Sequence, residues 1–128
     1  MHRIFSLLLA ALAITLNLRA QQSNFEIFWK EIDEAMEQGL PETALQKLTP
    51  LRAEAIARGD LAQEVKAKLY ELRIKAEKDP KLTGRLLADA EKFTVQLKAS
   101  AEKGLMYLML AESYSNYLNK HSYRLRER

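Results

Sequence analysis

The stretch FWKEIDEAMEQGLPETALQKL, residues 28–48, decides how this chain is read. Phe25, Phe28, Trp29, Ile32, Ala35 and Met36 recur at steps of three, four and seven, which lays one apolar stripe along a helix. Gly39 stops that helix, because glycine enters the left-handed C′ conformation without a Cβ clash. Pro41 starts the next one at its first position, where the missing N–H would have had no partner. Two helices joined by so short a corner run antiparallel, so the stretch predicts a helical hairpin.

Upstream, Ser23 and Glu26 form a capping-box pattern that opens the first helix. Before them the chain reads as a targeting segment. MHR gives a short basic start, IFSLLLAALAITLNL (residues 4–18) gives the apolar run, and Ala20 is the small residue before a cut. Residues 1–20 are therefore expected to be a signal peptide, with Gln21 as the new N-terminus. The alternative, an uncleaved anchor, requires a longer apolar run than this one. Without cysteine there is no lipid attachment at a signal-peptide cysteine. The expected location is the periplasm or cell envelope.

Downstream the helix signals continue. The second helix runs to about Arg58 with Leu45, Leu48, Leu51 and Ala55 inward, and Pro50 predicts a kink or break near Thr49. Gly59 ends it, and Asp60 with Gln63 gives another capping box. Leu61, Val65, Leu69, Leu72 and Ala76 then stripe a third helix. Asp79-Pro80 opens a fourth, carrying Leu82, Leu86, Ala90, Phe93 and Leu97, with Gly84 weakening its first turns. Past Ser100 a fifth helix has apolar residues on nearly every face, the pattern of a helix that is central or covered by a partner. Corners recur about every twenty residues, which predicts an all-α array of about five antiparallel helices over residues 21–128, like a helical solenoid or bundle.

Composition excludes several kinds of chemistry. The chain has 20 Lys and Arg against 17 Asp and Glu. Arg3 and Arg19 leave with the leader, so one net positive charge remains, too little for a nucleic-acid footprint. With no cysteine there is no disulfide and no thiol chemistry, so packing alone holds the domain. His121 is the single histidine after the leader and cannot make a typical zinc site. Glu26→Lys30, Glu54→Arg58, Glu64→Lys68 and Glu71→Lys75 are acid-first pairs at i,i+4, which read as a solvated face. No phosphate loop or nucleophile motif is present. The expectation is a non-enzyme with no cofactor and no metal.

Two groups could bind something. Trp29 could stack on a ligand, although its register with Phe25 and Ile32 reads as core. Met106, Tyr107, Leu110, Tyr114 and Tyr117, with His121 beside them, could form an interaction surface on the fifth helix; tyrosines anchoring that helix to its neighbours are the alternative.

The hairpin, KAKLYELRIK (residues 66–75) and KGLMYLMLAESYSNYLNK (residues 103–120) together resemble the N-terminal region of large bacterial alpha-2-macroglobulin-like proteins. The matching positions are Trp29, Lys30, Gly39, Leu40, Pro41, Thr43, Ala44 and Leu45, then Leu69 and Tyr70, then Leu110, Ala111, Glu112 and Tyr114. Pro50 departs from that pattern. The resemblance implies an envelope protein of protease-inhibitor type, of which this is the helical N-terminal part. The bait region and the cysteine-containing thioester that do the family's work are not in this sequence, so no such residue carries over. The partner expected is protein: the downstream domains of a longer chain or, alternatively, a separate partner of a free-standing exported helical adaptor.

Overall fold

The computed structural model describes residues 24–126, with side chains as far as Ser122. All its regular elements are helical: α1 (residues 24–37), α2 (Pro41–Arg58), α3 (Leu61–Lys78), a 3₁₀ turn (Pro80–Leu82), α4 (Thr83–Gln96) and α5 (Ala101–Arg126). The chain is all-α, as its periodicities predict. The expected signal peptide and the expected Ser23 cap lie outside the described residues. No described helix is long and apolar enough to cross a membrane.

The first two corners share one device. Gly39 has φ 70°, its N–H donates to Met36 at 3.0 Å, and the Leu40 N–H reaches back to Ala35 at 2.8 Å. Twenty residues on, Gly59 has φ 67°, with Gly59 bonded to Ile56 at 3.1 Å and Asp60 to Ala55 at 2.9 Å. Both are left-handed glycine caps that satisfy the last carbonyls of a helix. Asp60 then accepts from the Gln63 N–H at 3.1 Å, the predicted N-cap of α3.

The later corners use other chemistry. Asp79 is extended and its carboxylate accepts from the Lys81 N–H at 3.0 Å. After α4, Leu97 is extended, and the Ser100 hydroxyl accepts from the Lys103 N–H at 3.2 Å to cap α5. The Lys103 ammonium donates to the carbonyls of Val95 and Leu97, at 3.1 and 2.8 Å, closing the end of α4.

Pro50 does not break α2, which is continuous from Pro41 to Arg58. Proline deprives the Gln46 carbonyl of its donor, but both residues lie on the exposed side, where water can serve that carbonyl. Leu48 and Leu51, buried on either side of it, keep the backbone helical.

The chain divides into two compact units between Leu51 and Arg52. In the first, Phe25, Trp29, Ile32 and Ala35 of α1 and Ala44, Leu48 and Leu51 of α2 are buried. Lys47 bonds Glu31 at 2.9 Å between the two helices. Trp29 is a core residue.

In the second unit α3, α4 and α5 all touch one another. One cluster joins Val65 of α3, Phe93 of α4, Leu97 and Met106 of α5; another joins Leu87 and Ala90 to Leu110, with Leu72 against it. Numbers that rise along α3 meet falling ones along α4, so those helices are antiparallel. The same holds for α4 and α5, and α3 and α5 are therefore parallel. Leu87 rather than Leu86 is the deeply buried leucine of α4. The 3₁₀ turn, with three residues per turn, advances the helix face before α4 begins.

The fifth helix is not the central one. α3 is buried on two opposite sides, by Val65 on one and by Ala67 and Ile74 on the other. This leaves α5 packed along one face.

Candidate functional site

The five residues expected to form one surface on α5 separate in the structure. Met106 is 1% exposed inside the cluster of Val65, Phe93 and Leu97, and Leu110 is buried with Leu87 and Ala90. These two are core residues, which corrects the expectation. Tyr114 and Tyr117 are half-buried at the edge of the second cluster, and the Tyr114 hydroxyl donates to Glu91 at 3.1 Å. Only Tyr107 points outward. The physical reason is angular: each residue advances about 100° around a helix, so positions 106, 110 and 117 fall within about 40° of one another, while 114 and 107 sit at the edge of that side, where Tyr107 is the more exposed. In the first half of α5, where Leu105, Met106, Tyr107, Leu108, Met109 and Leu110 follow one another, no polar face shows which side turns in.

What remains outside is a second apolar face. Leu108 is 71% exposed, Leu118 54%, Leu105 51% and Tyr107 47%, with Met109 at the margin. Other large exposed apolar residues, such as Ile27, Leu40, Ile56 and Val95, stand singly on other elements. Scattered surface apolar residues are ordinary in soluble proteins, whereas these sit together on one helix.

Beside this face lies a cleft of about 240 Å³ in the second unit. Leu69 and Leu72 of α3, Leu86 of α4, and Met106, Met109 and Leu110 of α5 line it, with Arg73 and Ser113 among its polar side chains. Arg73 is engaged by Glu77 at 2.8 Å, which raises the pKa of the guanidinium further. The cleft brings together no nucleophile and base. Among the described residues no group of His, Asp and Glu could hold a metal ion.

The main polar cluster is structural. Lys68 is buried, although the sequence places it on a solvated face paired with Glu64. It bonds Asp89 of α4 at 2.7 Å and Glu71 at 3.4 Å instead. Glu71 also binds Lys75, and Arg52 stands 3.9 Å away. The Glu54–Arg58 pair forms as expected, whereas Lys30 pairs with Glu34 at 3.8 Å. Arg52 and Lys68 both lie against the Phe93 ring, 5.4 and 5.8 Å from its centre. The network thus clamps α3 to α4 over an aromatic floor.

The network sets an acid limit. Burial pushes the Glu71 carboxyl up, but the hydrogen bond from Lys75 and the charges of Lys68 and Lys75 outweigh it and hold the pKa below 4.5. The Lys68 hydrogen bond, opposed by burial, holds Asp89 below 3.8. Both folded pKa values are depressed, so the contribution to stability is complete above the ordinary carboxylate range. It is lost as pH falls below that range through the folded values. The melting temperature is expected to drop on acidification below about pH 4.5. Thermal melts of the chain and of Glu71→Gln/Asp89→Asn across that range check this: the double variant should start lower and fall less steeply. Equal acid slopes would show that the network contributes nothing.

The chain matches no protein-family model, no curated protein and no solved structure. The resemblance to alpha-2-macroglobulin-like proteins therefore rests on its motif residues, and these have structural roles here. Gly39 and Pro41 make the first corner, Trp29, Ala44 and Leu110 are buried, and Leu69 lines the cleft.

Proposed function

We propose that this chain is a non-enzymatic helical module of an exported, cell-envelope protein, and that it docks on protein through the outer face of α5. The single observation that carries the docking is the run of exposed Leu105, Tyr107, Leu108 and Leu118 on one helix. A helix face of that composition, left against water, forgoes about 25 cal/mol for each Å² of apolar surface that a partner would cover. The resemblance supplies the rest of the reading: the leader-like residues 1–20, and relatives in which such helices precede macroglobulin-type β-domains of protease-inhibitor proteins. The proposed cover for α5 is then the domain that follows Arg128 in a longer chain.

The experiment joins genetics to sedimentation. The reading frame is followed beyond the codon for Arg128, and residues 21–128 are compared with the longer product. Residues 21–128 alone are expected to self-associate and to bind a dye specific for apolar surface, and the longer chain to do neither. A monomer that binds no dye across a wide concentration range would overturn the docking. A frame that ends at Arg128 would instead make the chain a free-standing exported adaptor, with α5 taking a separate protein.

A further inference from the structure

At the end of the second unit away from Leu105, the 3₁₀ turn and the later turns of α5 enclose a different cleft of about 570 Å³. Lys81 comes from the turn and Lys120 and His121 from α5; Thr83 and Asn116 also line the cleft, and Pro80 and Tyr117 supply apolar surface. Among the described residues no carboxylate lines it. The nearest in sequence, Asp79, has its oxygen on the Lys81 backbone N–H. Four other lysines are matched by acids: Lys30 by Glu34, Lys47 by Glu31, Lys68 by Asp89 and Lys75 by Glu71. Neither Lys81 nor Lys120 forms an ion pair among the described residues.

His121 is held for use. Its Nδ1 lies 2.8 Å from the Tyr117 carbonyl, which can only accept, so Nδ1 is the donor there; Nε2 is left for another partner and donates to a phosphate oxygen only when it too carries a proton. The imidazole is stacked on the Tyr117 ring, with centroids 4.2 Å apart and planes at 29°. Tyr117 in turn lies over Gly84, where an added Cβ would sit 3.4 Å from the hydroxyl. That chain of contacts fixes the ring before any ligand arrives, and preorganisation reduces what binding must spend on ordering.

Cations gathered in a concave site with no compensating acid focus a positive potential into it. A single carboxylate would leave part of that charge unmatched, whereas a phosphate monoester carries close to two negative charges at neutral pH. Free phosphate would leave most of the cleft empty and the Pro80 and Tyr117 wall unused. We propose that this cleft binds an organic phosphate, its anion between Lys81, Lys120 and His121 and its organic body against Pro80 and Tyr117. The proposal does not rest on α5 docking: Leu118 is a sequence neighbour of the cleft residues, but none of Leu105, Tyr107, Leu108 and Leu118 lines the cleft.

Phenyl phosphate, inorganic phosphate, and phosphatidylcholine vesicles with and without phosphatidic acid are titrated against the purified chain and three variants. Lys81→Ala and Lys120→Ala change exposed side chains of the site; Lys92→Ala, on α4 and outside the cleft, is the control. Phenyl phosphate is expected to bind at one site, more tightly than inorganic phosphate, and to move the His121 ring resonances. Each site variant should weaken it about tenfold or more, as loss of one charged hydrogen bond implies, and the control should not. Binding to phosphatidic acid vesicles with the same variant sensitivity, in place of phenyl phosphate, would identify a lipid headgroup as the source of the phosphate. The proposal is overturned if neither ligand shifts His121, or if Lys92→Ala weakens binding as much as the site variants do.

Discussion

Trp29→Ala is expected to destabilise the protein by about 3–5 kcal/mol, the cost of emptying a large buried aromatic site. Trp29 is buried on the stripe that also buries Phe25, Ile32 and Ala35, so its removal opens a cavity flanked by side chains that are already committed. Nearby helices can relax only by giving up contacts of their own. In a chain of this size each kcal/mol shifts the melting temperature by several degrees, so circular-dichroism melts resolve the loss easily. An unchanged melting temperature would mean that the indole contributes nothing to the core, and would return Trp29 to the ligand-stacking role its sequence context also allowed.

Met106→Ala is expected to cost about 2–5 kcal/mol, while Leu108→Ala, two residues along the same helix, should lie within about 0.5 kcal/mol of the parent. Met106 fills the junction of Val65, Phe93 and Leu97, where α3, α4 and α5 meet. Leu108 is largely in water and has little packing to lose. Removing it should instead lower self-association of the isolated chain, if the outer face of α5 is the docking surface. Denaturant melts of the two variants give the comparison. Similar costs at both positions would mean that α5 is seated about the wrong side.

The fold class and corners were legible before any coordinates because local chemistry dictates them. Only glycine takes the φ of Gly39 and Gly59 without strain, so the ends of α1 and α2 could be read from two letters. Asp60 and Asp79 cap by reaching their own backbone neighbours, and Trp29 declared its burial by falling on a stripe with polar residues opposite. Pro50 shows where a local rule misleads. Its cost was read correctly, but whether α2 breaks depends on the packing of Leu48 and Leu51 and on an exposed Gln46 carbonyl, none of which a propensity contains.

The candidate sites were decided by tertiary structure. α5 is nearly uniform in hydrophobicity around its circumference, so its sequence is compatible with several rotations, and the fit against α3 and α4 selects the one that buries Met106 and Leu110. Lys68 lies on a helix rich in exposed charge, and only the arrival of Asp89 from α4 makes its burial affordable. Lys81 and Lys120 are 39 residues apart, and neither is unusual alone; the antiparallel return of α5 past the start of α4 places them in one cleft. Interactions within a turn or a cap span a few residues and are written into the chain. Which face of a uniformly apolar helix turns inward, and which distant charges meet, depend on contacts between surfaces that exist only once the helices have packed.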